Sequence, residues 1–122
     1  MNTEVFGSVQ AGCCRCTIDC RDQLLSVRLS GEIDQASAAT IREKIDQAAE
    51  SCLPQTLMLD LSGITFMDSS GIAIVISAIR HMREIGGKVL LRDVPAQPMK
   101  VLLASGIDKI VQIEERSLVN EV

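Results

Sequence analysis

The fold is decided by the stretch from residue 57 to residue 79, which reads LMLDLSGITFMDSSGIAIVISAI. Its first five residues form a short and almost wholly apolar run, which is typical of a central strand covered on both faces. Ser62-Gly63 predicts a turn after that strand, and the polar cluster Asp68-Ser69-Ser70 predicts the start of a helix over residues 70–85. The core stripe expected for this helix, at helical spacing, comprises Ile72, Val75, Ile76, Ile79 and Met82.

A hairpin and a further helix are predicted upstream of this stretch. Side chains from Cys14 to Cys20 alternate between two faces, which is the period of a half-buried strand. Arg21-Asp22-Gln23 supplies a turn, and residues 24–29 form the second strand of the hairpin. Asp34 is a good N-cap for a helix that Pro54 ends. The expected apolar face of that helix comprises Ala38, Ile41, Ile45, Ala48 and Cys52.

Strand and helix alternate again downstream. Residues 88–92 read as a strand, Pro95 and Pro98 open a third helix, and residues 110–113 form a last strand. This alternation implies right-handed crossovers and a mixed sheet whose later strands are parallel. The predicted fold class is therefore α/β, with a mixed sheet of about five strands and three to four helices packed on it.

Length and composition bound the organisation of the chain. With 122 residues and a formal net charge of -4, the sequence predicts one domain over residues 13–122, preceded by a loosely ordered leader over residues 1–12. Aromatic residues make up only 2%, and this scarcity with the acidic balance disfavours direct binding of nucleic acid. The longest uncharged run, residues 69–79, is too short to span a bilayer, and no secretory signal pattern opens the chain. A cytoplasmic protein is expected.

Four of the five cysteines lie close together at Cys13, Cys14, Cys16 and Cys20. A zinc site would need a second pair of ligands far downstream, and the sequence has none. Cysteine behaves as a small buried hydrophobe, so the favoured interpretation places Cys14, Cys16 and Cys20 on the inward face of a strand, with metal binding or redox sensing as alternatives. Because thiols stay reduced in the cytoplasm, no disulfide framework is expected.

Residue types suited to catalysis are sparse. The single histidine, His81, is expected to be a solvated residue of the helix over residues 70–85. Residues 67–71 lack the first glycine of a Gly-x-Ser-x-Gly nucleophile elbow, and no glycine-rich phosphate-binding motif occurs. The sequence therefore predicts a protein that is not an enzyme and has neither a cofactor nor a metal site.

Five segments together form a more specific pattern than any one of them alone. They are RLSGEID at 28–34, LDL at 59–61, FMDSSGI at 66–72, IGGKV at 85–89 and SGI at 105–107. With these segments the chain resembles the bacterial anti-sigma factor antagonists, which are built on the STAS domain (sulfate transporter and anti-sigma factor antagonist).

The resemblance implies a phosphorylation switch. In that family a serine kinase that also serves as the anti-sigma factor phosphorylates the first serine after the aspartate, which here is Ser69. The unphosphorylated form binds the kinase and releases the sigma factor, and a serine phosphatase is a further expected partner. The resemblance also places Asp34 beside the phosphorylated loop. The expected partner-binding residues are Asp34, Asp68, Ser70, Gly71, Ile72 and Ile74. Ile72 and Ile74 are candidates for an apolar contact, and the core is an equal alternative for Ile72.

Two alternatives come from other uses of STAS domains. One is a scaffold subunit of a large stress-sensing assembly, which would form stable homo-oligomers. The other is a small partner of a membrane lipid or anion transporter, which would co-purify with a membrane complex.

Overall fold

A computed structural model describes residues 5–115, which form a mixed six-stranded sheet in the order β1-β2-β3-β4-β5-β6 with three α-helices. The predicted α/β class is confirmed, with six strands where five were expected. The strands are β1 Val5–Ala11, β2 Cys14–Arg21, β3 Leu24–Ile33, β4 Thr56–Met67, β5 Lys88–Arg92 and β6 Gln112–Glu114. The helices are α1 Gln35–Cys52, α2 Ser70–Glu84 and α3 Ala96–Ser105, and a 3₁₀ turn at Ile107–Lys109 follows α3.

The additional strand, β1, lies in the segment that was expected to be a loosely ordered leader. It pairs antiparallel with β2 from Val5 opposite Cys20 to Ala11 opposite Cys14. The expectation is therefore wrong for residues 5–11, whereas residues 1–4 lie outside the described part of the chain. The free edge of β2 carries backbone donors and acceptors that a neighbouring segment can satisfy, even one with a weak apolar pattern of its own.

The predicted hairpin is confirmed as β2 and β3. Asp22 and Gln23, which connect the two strands, have positive φ angles of 53° and 68°, as the type I′ two-residue hairpin turn requires. The inward face of β2 is also confirmed, because Cys14, Cys16 and Cys20 are all buried.

The structure contains a disulfide, where no disulfide framework was expected. Cys20 on β2 and Cys52 at the end of α1 are joined by a disulfide, and Cys13, Cys14 and Cys16 are free. Both partners lie on the faces predicted to be apolar. Their pairing across 32 positions depends on how α1 packs over the sheet, which neither local pattern contains.

From β3 onward all neighbouring strands are parallel, so α1, α2 and α3 are the crossovers between them. Helix α1 packs against α2 and against the first three strands. The core lies between the helices and the sheet. Its largest fully buried side chains include Leu25, Leu29, Leu57, Leu59, Leu61 and Leu91 from the strands and Ile41, Ile45, Met82 and Leu102 from the helices.

The sequence predicted a turn at Ser62-Gly63, and this prediction is wrong. Strand β4 continues through these residues to Met67. Gly63 pairs with Ser30 of β3. A Cβ atom at Gly63 would lie 2.8 Å from the Cβ of Ser30 and 3.2 Å from the carbonyl oxygen of Leu29. The glycine therefore permits the close approach of two strands rather than a turn.

Helix α2 has the predicted extent but a different buried face. Ile76 and Ile79 were expected in the core, yet Ile76 is 38% exposed and Ile79 is only partly buried, as is Ile72. Apolar residues surround most of this helix, so their spacing does not determine which stripe meets the sheet. The buried face comprises Gly71, Ile74, Val75, Ala78 and Met82.

His81 is not the solvated helical residue that was expected. Its side chain is 18% exposed, and its Nδ1 lies 3.8 Å from Oδ1 of Asp46 on α1. Burial raises the pKa of the Asp46 carboxyl, and the nearby His81 opposes that shift. The packing of α1 against α2 brings these two residues together and partly covers them, which the sequence pattern of α2 alone could not show.

The last strand begins at Gln112 rather than at Ile110, because the chain is still turning at residues 110 and 111 after the 3₁₀ turn at Ile107–Lys109. Within residues 5–115, no helix combines the length and apolar character needed to cross a membrane.

Candidate functional site

The candidate site lies where the parallel strands β3 and β4 end and the next helices begin. Ile33 and Met67, the last residues of these strands, are paired, and the backbone N–H of Asp68 donates to the carbonyl of Ile33 at 3.2 Å. Two aspartates, Asp34 and Asp68, therefore follow neighbouring strands at the same edge of the sheet. In parallel sheets this carboxyl edge is where binding sites are commonly built.

Asp68 is the residue that caps α2. Its Oδ1 accepts a hydrogen bond from the backbone N–H of Ser70 at 2.7 Å, and its carbonyl accepts one from Gly71 at 3.1 Å. Ser69 occupies the N-cap position with helical backbone angles, but its side chain makes no capping hydrogen bond. Ser69 is also exposed. Its hydroxyl is therefore accessible and is not needed to begin the helix.

Asp34 performs the same structural task for α1. Its Oδ1 accepts from the backbone N–H of Ser37 at 2.9 Å, while its own N–H donates to the Ser37 hydroxyl oxygen at 3.0 Å, completing a capping box. The hydrogen bond from the Ser37 backbone lowers the pKa of the Asp34 carboxyl, which therefore stays negatively charged at neutral pH. The sequence prediction of this cap is confirmed.

A groove between α1 and α2 begins at Ser69. Its volume is about 480 Å³, and its walls are small residues and polar side chains from the two helices. The lining residues are Gln35, Ala38, Ala39 and Arg42 from α1 and Asp68, Ser69, Ser70 and Ala73 from the start of α2. Asp34, although nearby along the chain, does not line this groove.

Sequence reasoning missed Arg42 and Gln35 as members of the site. Arg42 lies outside the apolar face predicted for the first helix, and it is exposed. The signal that could have found it is its spacing from Ala38 and Ala39, which places the three side chains on neighbouring positions of one helix face. Small residues on that face leave room for a groove.

The end of β4 is held by a side chain from α3. Oε1 of Gln97 accepts from the backbone N–H of Met67 at 2.8 Å, and Nε2 of Gln97 donates to the carbonyl of Met67 at 2.9 Å. Strand β5 pairs with β4 only as far as Asp60, so it does not reach Met67. Gln97 thus satisfies backbone groups directly before the Asp68-Ser69 segment.

Two of the six predicted partner-binding residues are buried, which corrects their assignment to a contact surface. Ile74 is 2% exposed, and Gly71 is also buried. A Cβ atom at Gly71 would overlap the side chain of Met67. These residues shape the start of α2 from beneath, because this face of the helix turns toward the sheet. The structure leaves Asp34, Asp68, Ser70 and Ile72 at least partly exposed.

The described range 5–115 contains no group of three or more His, Cys, Asp or Glu side chains arranged to hold a metal ion. The fold and site together define a small α/β domain in which an exposed serine opens a helix beside an interhelical groove. The chain belongs to the STAS domain family, whose model matches residues 15–117.

Within this family, the chain is similar to relatives that are named anti-sigma F factor antagonists. The chain is 30% identical over 95 residues to an anti-sigma F factor antagonist of Paenibacillus polymyxa, which covers 78% of this chain and 81% of that protein. It is 33% identical over 81 residues to an anti-sigma F factor antagonist of Lysinibacillus sphaericus, which covers 66% of this chain and 69% of that protein.

The fold is also similar to solved structures of the anti-sigma factor antagonist SpoIIAA. The unphosphorylated form matches with a TM-score of 0.71 and 22% identity, covering 96% of this chain and 92% of that one. The phosphorylated form of SpoIIAA from Bacillus matches with a TM-score of 0.64 and 22% identity, covering 96% of each chain.

Proposed function

We propose that this chain is an anti-sigma factor antagonist, a non-catalytic binding module that phosphorylation of Ser69 switches off. The observation that carries the proposal is that Asp68 and Ser69 have different roles at the start of α2. Asp68 supplies the cap, so Ser69 presents a free, exposed hydroxyl to a kinase. The names of the relatives support the same role.

The expected partner is a serine kinase that also acts as the anti-sigma factor. The unphosphorylated chain binds this kinase, which releases the sigma factor, and a serine phosphatase restores the binding form. Because such a kinase uses ATP, the proposal places the protein in the cytoplasm. The surface offered to the kinase comprises the exposed parts of Asp34, Asp68, Ser70 and Ile72 around Ser69.

The switch is electrostatic in origin. A phosphate adds about -1.5 to -2 charges at Ser69. The adjacent Asp68 carboxylate and the nearby Asp34 already carry negative charge. A partner surface shaped for a neutral hydroxyl would then have to accommodate several like charges, which opposes docking by several kcal/mol. Phosphorylation therefore releases the kinase.

The test uses each anti-sigma factor kinase of the source organism, purified and supplied with ATP. Phosphate incorporation is followed by intact mass, and binding is followed by calorimetry. Ser69→Ala should abolish incorporation while leaving binding intact. Ser69→Asp should weaken binding, although by less than phosphorylation does, because a carboxylate carries a single charge.

Ser70→Ala is the matched control, since it removes the neighbouring hydroxyl and should leave incorporation at Ser69 largely unchanged. Full phosphorylation of Ser69→Ala would refute the assignment of the acceptor. Binding of Ser69→Asp as tight as that of the unsubstituted protein would refute the switch.

A further inference from the structure

The groove beside Ser69 contains one basic side chain, Arg42 of α1, among its lining residues. Arg42 is exposed, and within residues 5–115 its guanidinium makes no hydrogen bond or ion pair within 4.0 Å. Its positive charge opposes the burial-driven rise in the pKa of Asp46, one helical turn further along α1. A cation without a close partner therefore shares a groove with the proposed phosphorylation site.

The directions of the helices favour contact between Arg42 and Ser69. Helices α1 and α2 both begin at the carboxyl edge of neighbouring parallel strands, so they leave that edge side by side. Arg42 follows the first residue of α1 by about two turns, or about 10 Å along the helix axis. Side chains on a helix lean toward its N-terminus, which for Arg42 is the end of the groove where Ser69 lies.

The chemistry of the groove also favours this pairing. Planar guanidinium groups bind phosphate oxygens through two parallel hydrogen bonds, which makes arginine better suited to this task than lysine. Two carboxylates compete for Arg42. Asp46 lies one helical turn further along α1, outside the groove lining, and Asp68 lies in the groove, where one of its oxygens already accepts a hydrogen bond from the N–H of Ser70. The other residues that line the groove include Ala38, Ala39 and Ala73, whose side chains are small.

We propose that Arg42 binds the phosphate of phosphorylated Ser69 across the groove between α1 and α2. This inference rests on the proposed modification of Ser69 and adds the residue that receives it. Phosphorylation then has two effects on the docking surface: it adds negative charge, and it withdraws the positive charge of Arg42 from any partner. The phosphorylated state is held by a contact within the chain itself.

The experiment installs phosphoserine at position 69 during translation, so that it needs no kinase. The second ionisation of the phosphate is then followed by ³¹P NMR titration in the otherwise unsubstituted chain, in Arg42→Ala and in Lys44→Ala. Lys44→Ala is the matched control, because it removes an equal charge from the same helix. Lys44 lines a different groove, beside Ser8 and Val9.

Contact with Arg42 should lower the pKa of the phosphate in the unsubstituted chain and in Lys44→Ala. In Arg42→Ala the pKa should be higher by about half a pH unit. Arg42→Lys should fall between these values, because it keeps the charge and loses the paired donors.

Equal phosphate pKa values in all three proteins would overturn the proposal. An equal rise in Arg42→Ala and Lys44→Ala would also overturn it, since that result reports net charge and not contact. A failure of the chain to bind any anti-sigma factor kinase would refute the proposed function but would leave these titrations, and thus the test of Arg42, unaffected.

Discussion

The side-chain amide of Gln97 makes paired hydrogen bonds to the backbone N–H and carbonyl of Met67, at 2.8 and 2.9 Å. This is the pattern that a neighbouring strand would provide, supplied instead by one side chain of α3 at a position that β5 does not reach. Met67 is buried and is followed directly by Asp68 and Ser69. The third helix therefore positions the candidate phosphorylation site without belonging to its groove.

Replacing Gln97 with Ala should loosen the end of β4. The buried backbone groups of Met67 would lose their partners, which costs about 1 to 3 kcal/mol of unfolding free energy. Urea unfolding measures this loss, and faster hydrogen exchange of the Met67 amide locates it. Gln47→Ala is the control, because Gln47 is exposed on α1; equal losses in both variants would contradict the prediction.

Asp68 and Ser69 should differ in their contributions to stability. Asp68→Ala removes the cap of α2 and should cost about 1 kcal/mol, whereas Asp68→Asn keeps an acceptor oxygen and should recover most of it. Ser69→Ala removes a hydroxyl that makes no capping bond, so its effect should stay within about 0.5 kcal/mol. Thermal or urea unfolding compares the three variants. A larger loss for Ser69→Ala than for Asp68→Ala would show that the capping roles are reversed.

The disulfide between Cys20 and Cys52 should stabilise the oxidised protein. It closes a loop of 32 positions, for which restriction of the unfolded chain predicts about 3 to 4 kcal/mol. Reduction, or Cys52→Ser, should remove this stabilisation, while Cys13→Ser should not, because Cys13 is exposed and free. Thiol titration of the denatured, non-reduced protein should find three thiols. Finding all five would mean that the bond does not form.

Stability should fall at alkaline pH because of Cys16. Burial, with a further contribution from the neighbouring Cys14, raises the pKa of the Cys16 thiol from 9.0 to about 12. Between these values the unfolded chain releases a proton that the folded chain retains, so the free energy of unfolding decreases as the pH rises. The expected decrease is about 1 kcal/mol between pH 8 and pH 10.

Cys16→Ala tests the origin of this pH dependence. Its unfolding free energy will be lower at every pH because of the cavity, but its decrease between pH 8 and pH 10 should be smaller than that of the unsubstituted protein. Cys13→Ala should keep the full decrease. Identical pH profiles for Cys16→Ala and the unsubstituted chain would exclude Cys16 as the cause.

The local features of this protein are determined by its sequence. The alternating cysteines predicted β2. Asp34 predicted the start of α1, and the polar cluster at residues 68–70 predicted the start of α2. These predictions succeeded because period and capping act over a few neighbouring residues, whose conformations and hydrogen bonds are set within the segment itself. The family resemblance and the choice of Ser69 as candidate acceptor depend on the same short segments.

Only the tertiary structure decided which distant groups meet. The pairing of β1 with β2, the disulfide of Cys20 with Cys52 and the support of Met67 by Gln97 all join segments that no local pattern connects. Arg42 is a further example. From the sequence it is an ordinary solvated residue of α1, and only the packing of α2 beside α1 forms the groove that it lines. Apolar residues surround most of α2, so several of its stripes could face inward. Packing against the sheet selects one of them, because burial depends on the neighbours of a segment and not on the segment alone.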